Sequence, residues 1–391
     1  MEPYLGHPQR DEVPGRDRRS LSLCPVPTAL LTTFLTPYRV PLFERLAERD
    51  AVEVLCYGGG ARYVPGWFSD LDAQLEAATF PARRLGGPRE ALRLGRDYEC
   101  VIAPFAGGAI LPAAYAGARR YGRPFILWAS VWAQPRSLAH AATLPLIRHI
   151  YRKSDSVIAY GEHVRRFVAR IRGTDEEVFV APQAVEPELF GRAIGEDEVL
   201  AFRAEHDLPE GPLVLYVGRV VAEKGIGVLL DAWPQVAPEA TLVLIGDGPL
   251  AGRAAAASRA RLLGPLARAQ LPVAYAASEL TVLPSIATPR FREPWGLVCN
   301  EAMYQRRPVV ATMSVGAVAG GLVRDGDTGL VVPAGDPAAL AKAIDRLLIA
   351  PDLRSRLGEA GRRAVAAYTY EAMVEAIDRA LDRARSARAA R

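Results

Sequence analysis

The stretch LVLYVGRVVAEKGIGVLLDAW, residues 213–233, passes from a continuous apolar run through a glycine-containing turn into an apolar helical pattern. A continuous apolar run of this length is typical of a parallel strand that is covered on both faces. The stretch therefore predicts one strand–helix unit of a doubly wound α/β domain. Because the same alternation recurs along the whole chain, the sequence predicts two such domains, with a ligand in the cleft between them.

Two series of predicted strands divide the chain, whose 391 residues are too many for one ordinary hydrophobic core. Between the two series, residues 187–212 are rich in glycine, proline and acidic residues, so the domain boundary is expected there. We expect a mobile polar tail at 1–23, a first domain at 24–190, a second domain at 191–368 and a terminal helix at 369–391 that crosses back. The predicted strands are residues 29–34, 52–57, 100–103, 125–128, 156–159 and 178–181, then 213–217, 241–245, 280–283, 309–311 and 329–332.

Composition and missing motifs disfavour several classes of function. Neither domain opens with GxGxxG after its first strand and no Walker loop occurs, so no dinucleotide or P-loop cofactor is expected. The four cysteines are scattered, which predicts buried thiols rather than disulfides or a zinc site. The net charge of +4 would attract phosphates but is too small to indicate nucleic acid. No apolar stretch is long and unbroken enough to span a membrane, and we expect a cytoplasmic protein.

The turn after the strand at 213–217 carries the first candidate site. Gly218 opens the turn, and Arg219 and Lys224 follow within it. Backbone amides at a strand-to-helix turn, together with a guanidinium and an ammonium, suit a diphosphate. A loop with two solvated cations is the alternative, and the spacing alone leaves both interpretations open.

The second candidate site is FREPWGLVCNEAM, residues 291–303, in which seven residues separate Glu293 from Glu301. We predict a helix from about residue 297, with Glu293 before it and Glu301 about two turns into it. Amides at the helix start would hold an anion, while the two carboxylates accept hydrogen bonds from hydroxyl groups. The alternatives are a helix-dipole role for Glu293 and a surface position for Glu301.

In these motifs the sequence resembles the retaining GT-B glycosyltransferases, in particular the large fourth family, the glycosyl transferases group 1. The resemblance covers most of the chain from about residue 28. Its specific parts are GRVVAEKG, EPWGLVCNE, RRPVVAT and DGDTGLVVPAGD, in this order. It implies a GT-B fold and a metal-independent transferase of the hexosyltransferase type, which takes a sugar from a nucleotide-diphosphate donor with retention of configuration.

The resemblance also implies roles for individual residues. Arg219 and Lys224 would bind the diphosphate, Glu293 would bind the hydroxyls of the donor sugar, and Glu301 would bind the ribose. The turn at 262–264, with Leu263, would meet the nucleobase. The backbone of the remaining donor-binding residues would contact the sugar and the phosphates, and these are Gly218, Trp295, Gly296, Leu297 and Val298. The resemblance assigns no further cofactor, because the nucleotide sugar is a co-substrate.

One departure concerns the first-domain side of the donor site. Many relatives carry a histidine near the donor sugar, where this chain has Ala129 and Ser130. A 6-deoxy donor sugar is therefore a hypothesis.

The acceptor is expected on the side of the first domain. Tyr38 and Arg39 follow the first strand, and Ser130 and Trp132 follow another. These four residues would contact the hydroxyl-bearing glycan, glycolipid or small molecule. Arg39 on the surface at a capped helix start and Trp132 in the core are the alternatives.

Two further questions stay open in the sequence. The basic amphipathic helix at 138–153 is interpreted as a solvated face, with peripheral docking on the inner membrane face as the alternative. The function alternatives are a non-catalytic binding partner for sugar nucleotides and a synthase that uses a soluble sugar-phosphate acceptor.

Overall fold

The computed structural model describes residues 28–58, 70–106, 108–134, 138–289 and 291–389. Within these residues, one parallel sheet has seven strands in the order β3-β2-β1-β4-β5-β6-β7. Its strands are β1 (Thr28–Thr32), β2 (Val52–Cys56), β3 (Ala82–Arg84), β4 (Cys100–Pro104), β5 (Phe125–Ala129), β6 (Ser156–Ala159) and β7 (Val178–Val180).

A second parallel sheet of six strands follows in the described chain, in the order β10-β9-β8-β11-β12-β13. In each parallel sheet the strand order reverses beside the first strand, between β1 and β4 and between β8 and β11. The crevices at the carboxyl ends of β1 and β8 are therefore the expected ligand positions. The strands are β8 (Leu213–Val217), β9 (Thr241–Ile245), β10 (Ala260–Gly264), β11 (Leu280–Leu283), β12 (Val309–Thr312) and β13 (Gly329–Val332).

Helices cover both faces of each sheet. They are α1 (Val40–Arg49), α2 (Leu71–Glu76), α3 (Pro88–Ala91), α4 (Leu94–Asp97), α5 (Ile110–Arg120), α6 (Leu138–Lys153), α7 (Glu162–Arg172), α8 (Pro187–Phe190), α9 (Glu196–Glu205), α10 (Ile226–Ala232), α11 (Ala251–Ala255), α12 (Leu271–Ala276), α13 (Val298–Tyr304), α14 (Gly316–Ala319), α15 (Pro337–Leu348), α16 (Pro351–Val365) and α17 (Tyr370–Ala389). Short 3-10 helices occur at Ala222–Lys224, Trp233–Gln235 and Arg268–Gln270. No described helix is long and apolar enough to cross a membrane.

The last helix, α17, packs on the first sheet although the preceding helix belongs with the second. Met373 and Ile377 are fully buried in the same core cluster as Leu30 of β1. The Ser156 hydroxyl of β6 donates a hydrogen bond to the carbonyl of Ala380 at 2.8 Å. The helix therefore connects the end of the chain to the first domain.

The predicted α/β class with two doubly wound sheets is correct, and two strands were missed. β3 and β10 each lie at one edge of their sheet, and both carry an exposed arginine, Arg84 or Arg261, whereas the opposite edge strands β7 and β13 carry no charged residue. Edge strands need less apolar sequence, which is why a search for continuous apolar runs passes over them. The domain boundaries stay predictions, and the tail at 1–23 lies outside the described residues.

Candidate active site

The loop after β8 is shaped by a close backbone contact between two glycines. Gly218 has φ +146°, and a Cβ on the neighbouring Gly246 would lie 2.0 Å from the Gly218 carbonyl oxygen. The hydroxyl of Tyr216 donates to the carbonyl of Arg219 at 2.7 Å, which fixes the backbone beside the guanidinium. The sequence GDGP at 246–249 is predicted as a simple turn. In the structure it follows β9, the neighbour of β8, and its backbone packs against the loop that carries Arg219 and Lys224.

The two cations of this loop differ in their surroundings. Lys224 ends the 3-10 helix Ala222–Lys224 and is largely buried, with its side chain 16% exposed. The guanidinium of Arg219 is more open and lies 3.5 Å from the Glu223 carboxylate. Lys224 is thus not a freely solvated cation, because it is held inside the cleft.

Glu293 is buried, and its carboxylate faces the loop after β8. The Lys224 ammonium contacts Oε2 of Glu293, and the Ser285 hydroxyl donates to the same oxygen at 3.0 Å. The backbone of Glu293 also forms a parallel bridge with Val315. The structure therefore brings two predicted site residues, Lys224 and Glu293, into direct contact.

Ser285 is a site residue that the sequence motifs do not reveal. It lies just after β11, which is the neighbour of β8 in the sheet. The available signal is its position, because polar residues at the carboxyl ends of adjacent parallel strands converge on the same crevice.

Two ring nitrogens of the first domain hold the segment at 293–295. Trp132 Nε1 donates to the Glu293 carbonyl at 3.0 Å. His163 Nε2 lies 3.0 Å from the Pro294 carbonyl, and it must carry the proton because a carbonyl only accepts. The His163 ring lies between Trp132 and Trp295, with centroid distances of 5.4 and 5.9 Å. The position of Glu293 thus depends on both domains.

The start of α13 contributes backbone rather than side chains to the cleft. Gly296 has φ +96°, and among the described residues no backbone carbonyl accepts from the amides of Gly296, Leu297 or Val298. The indole of Trp295 is buried and donates to Asn300 Oδ1 at 2.8 Å. Trp295 can therefore face a ligand only through its backbone.

Glu301 lies closer to the helix start than expected. The helix begins at Val298, so Glu301 is in the first turn and not two turns in. Its Oε2 accepts a hydrogen bond from the Tyr275 hydroxyl at 2.6 Å. Burial raises the pKa of the Glu301 carboxyl, and the bond from Tyr275 and the charge of Arg268 lower it. Glu301 is half-buried and its carboxylate is bound to the Tyr275 hydroxyl, so the surface interpretation is wrong.

Leu263 lies in a strand, whereas the sequence predicts a turn at this position. Residues 262–264 form the end of β10, which pairs with β9. The strand stops at Gly264, whose φ of +72° turns the chain away. Leu263 is half-buried at the edge of the second sheet. Its contact with a nucleobase stays a prediction.

The first domain supplies a small pocket at the carboxyl ends of β1 and β5. Tyr38, Arg39 and Ser130 line this pocket of about 190 Å³. Arg39 is buried, with its guanidinium 4.8 Å from the Trp128 ring and a 2.6 Å hydrogen bond from Nη2 to Gln183 Oε1. The surface interpretation of Arg39 is therefore wrong. Trp132 does not share this pocket and lines a second cavity, described below.

His163 makes the stability of the domain contact dependent on pH. Burial lowers its pKa from 6.5 to about 4, and the hydrogen bond to Pro294 opposes that change. A histidine with a lowered pKa binds its proton less tightly when folded than when unfolded. The free energy of unfolding therefore falls as the pH drops from about 6.5 towards 4, by about 3 kcal/mol at most.

We expect His163→Gln to remove this loss, because the glutamine amide can still donate to the Pro294 carbonyl and does not titrate. Thermal unfolding of the wild-type protein and the variant between pH 7 and pH 4 measures the effect. The melting temperature of the wild type should fall more steeply than that of the variant. Parallel curves would contradict this role of His163.

Among the described residues, no three histidine, cysteine, aspartate or glutamate side chains lie together as metal ligands would. Of the four cysteines, Cys56, Cys100 and Cys299 are buried free thiols, and Cys24 lies outside the described residues.

Comparison with protein families and curated proteins points to glycosyl transfer. Residues 211–349 match the family described as glycosyl transferases group 1. Alpha-D-kanosaminyltransferase of Streptomyces kanamyceticus is 31% identical over 239 residues, which cover 58% of this chain and 60% of that protein. D-inositol 3-phosphate glycosyltransferase of Streptomyces scabiei is 31% identical over 236 residues, covering 54% and 50%. The chain thus spans between half and three fifths of the length of these relatives.

Solved structures show the same fold. Anabaena HepE in complex with UDP matches with a TM-score of 0.76 at 19% identity, over 91% of this chain and 99% of that chain. Sucrose-phosphate synthase from Thermosynechococcus elongatus matches with a TM-score of 0.69 at 23% identity, over 92% and 99%. These identities establish the fold alone. The solved structures confirm the predicted GT-B fold, and the match over residues 211–349 confirms the predicted resemblance to the glycosyl transferases group 1.

Proposed function

We propose that this chain, whose residues 211–349 belong to the glycosyl transferases group 1, is a retaining glycosyltransferase. It moves a hexose from a nucleotide-diphosphate donor to a hydroxyl group of a glycan, glycolipid or small molecule, without a metal. The observation that carries the proposal is the contact of Lys224 and Ser285 with Glu293 in the cleft. This arrangement sets an ammonium beside a carboxylate at the crevice where a doubly wound sheet binds its ligand.

The charges of the site suit the departure of a diphosphate. Negative charge builds on the leaving phosphate, and a positioned cation in a water-poor cleft stabilises it most at the transition state. The Lys224 ammonium has three donors, so it can hold Glu293 and a phosphate oxygen together. Arg219 would bind further phosphate oxygens from the open side. Glu293 then accepts hydrogen bonds from the sugar, and the departing phosphate takes the acceptor proton on the face it leaves, which retains the configuration.

The donor is the first part of the proposal to test. HepE is crystallised with UDP, which makes UDP the first nucleotide to try. A thermal-shift screen of UDP, GDP, ADP and TDP, followed by their hexose and 6-deoxyhexose derivatives, should show selective stabilisation by one nucleotide series. No stabilisation by any nucleotide would contradict the proposal. Binding without transfer to any acceptor would instead favour the non-catalytic alternative.

Glu301 should make nucleotide binding dependent on pH. A ribose diol donates hydrogen bonds to the ionised carboxylate, and the pKa of Glu301 is raised by burial. Affinity for the selected nucleotide should therefore rise as the pH increases above about 4.5, until the raised pKa is passed. Glu301→Gln should weaken binding about tenfold at pH 8 and remove this dependence. Calorimetric titrations from pH 5 to pH 8 measure both effects, and an unchanged pH profile would contradict the role of Glu301.

Peripheral contact with the cytoplasmic membrane face is also part of the proposal. On α6, Leu146 is 45% exposed, and Arg148, Arg152 and Lys153 of the same helix are exposed as well. An apolar side chain among cations suits the interface of an anionic bilayer. Co-sedimentation with phosphatidylserine vesicles, but not with phosphatidylcholine vesicles, is the expected result.

A further inference from the structure

A second cavity lies between the domains, beside the proposed donor site. Its volume is about 480 Å³, and one wall comes from the segment after β5, which includes Trp132 and Gln134. The other wall comes from the segment after β11, which includes Thr288, Phe291 and Arg292. The cavity is thus built from both domains, as a site for a second substrate would be.

The cavity is adjacent to the proposed donor position but separate from it. Phe291 lines the cavity, and its ring centroid lies 5.8 Å from the Lys224 ammonium. The Glu293 carboxylate turns towards Lys224 and Ser285, whereas its backbone carbonyl is bound to Trp132 on the cavity wall. The sugar of a donor held by Lys224 and Glu293 would therefore be next to this cavity, with the Phe291 ring between them.

The charged side chain in the described lining of the cavity is a cation, Arg292. The guanidinium of Arg292 lies 4.9 Å from the Trp132 ring centroid and is exposed. The described lining of the cavity includes no aspartate or glutamate that could pair with Arg292. An arginine that is stacked on a tryptophan keeps its planar fork of donors free for a carboxylate or phosphate.

We propose that this cavity binds the acceptor, and that the acceptor carries an anionic group beside a sugar-sized ring. The inference rests on the proposed function and narrows its acceptor class. Arg292 binds the phosphate or carboxylate, Phe291 and Trp132 pack against the ring, and Gln134 and Thr288 supply polar contacts. A polycationic acceptor is disfavoured, because the described lining offers it a cation and no carboxylate.

Binding of three ligands with the same ring tests the charge preference. The ligands are myo-inositol, inositol 1-phosphate and phosphatidylinositol in vesicles, measured by calorimetry with and without the nucleotide selected in the screen. Inositol 1-phosphate or the vesicles should bind at least about tenfold more tightly than myo-inositol. Tighter binding of inositol 1-phosphate would indicate a soluble anionic acceptor, and tighter binding of the vesicles would indicate a lipid-linked one. If neither exceeds myo-inositol, the proposal is overturned.

Arg292→Gln should abolish this preference, and it should raise the acceptor KM about ten- to a hundredfold while leaving the donor KM unchanged. The matched control is Arg346→Gln, which removes the same charge from an exposed position on α15 of the same domain. The control should behave as the wild type does. A rise in the donor KM alone would assign the cavity to the donor sugar and overturn the proposal. Failure of the proposed function is distinct, because it would appear as absence of nucleotide binding.

Discussion

Lys224→Ala is expected to lower kcat/KM for sugar transfer by about 100- to 1,000-fold. The reason is that the Lys224 ammonium is a largely buried cation in contact with Glu293 and would face the leaving diphosphate. The substitution should also weaken nucleotide binding, because the phosphate loses a charge-assisted hydrogen bond. Initial rates at varied donor concentration, with circular dichroism to verify the fold, measure the effect. Full activity of this variant would contradict the proposed site.

The same substitution should cost stability for a separate reason. Glu293 is 5% exposed, so removal of Lys224 leaves a buried carboxylate with Ser285 as its remaining described side-chain partner. Breaking such a pair costs about 3 kcal/mol. The double variant Lys224→Ala with Glu293→Gln should recover most of the lost melting temperature and none of the activity.

A matched control shows whether the effects come from the loss of a lysine charge in general or from the position of Lys224. Lys342→Ala removes an exposed lysine on α15 and should change neither the melting temperature nor the rate. If the double variant regained activity, the lysine would be structural and the assignment to the diphosphate would be wrong.

The sequence predicts the site residues better than their partners. Lys224 and Glu293 can be singled out because each lies in a local pattern of a few residues. Their contact spans 69 positions in the chain and depends on β8 and β11 being neighbours. No local pattern encodes that neighbourhood, so the role of Ser285 in supporting Glu293 emerges only from the sheet order.

The contributions of the first domain are still less predictable. Trp132 is predicted to contact the acceptor. In the structure it lines the cavity between the domains, and its indole N–H donates to the Glu293 carbonyl. His163 follows a strand and has no motif around it that would predict a hydrogen bond to Pro294. Both contacts depend on how the two domains meet. Local periodicity carries no information about that arrangement.

The loop after β8 and the segment after β11 are in direct backbone contact at the site. The Ile286 amide donates to the Glu223 carbonyl at 3.0 Å. Next to it, Gly225 has φ +75°, and a Cβ there would lie 1.9 Å from the Pro284 carbonyl oxygen. Gly225 follows Lys224 and Pro284 precedes Ser285. This close contact therefore sets the distance between the ammonium and the group that orients Glu293.

Gly225→Ala is accordingly expected to be among the most damaging single substitutions. The methyl group meets backbone, which cannot rotate away, and the residue must also keep a left-handed conformation. We expect the free energy of unfolding to fall by at least about 3 kcal/mol. We also expect kcat/KM to fall about 100-fold, because separating the loops by even about 1 Å misplaces Lys224 relative to Glu293. Thermal unfolding and initial rates measure the two effects.

Substitutions at two other glycines separate the steric contact with Pro284 from the conformational strain of a positive φ. Gly335 has φ +79° with nothing within 4 Å of an added Cβ, so Gly335→Ala should cost only the conformational strain, about 1 kcal/mol. Gly252, in α11, also has open space and no positive φ, so Gly252→Ala should be neutral or slightly stabilising. Neither should lose activity. If Gly225→Ala cost no more than Gly335→Ala and remained active, the contact with Pro284 would not set the geometry of the site. Loss of activity at Gly225 alone would instead show that the separation between the two loops controls transfer.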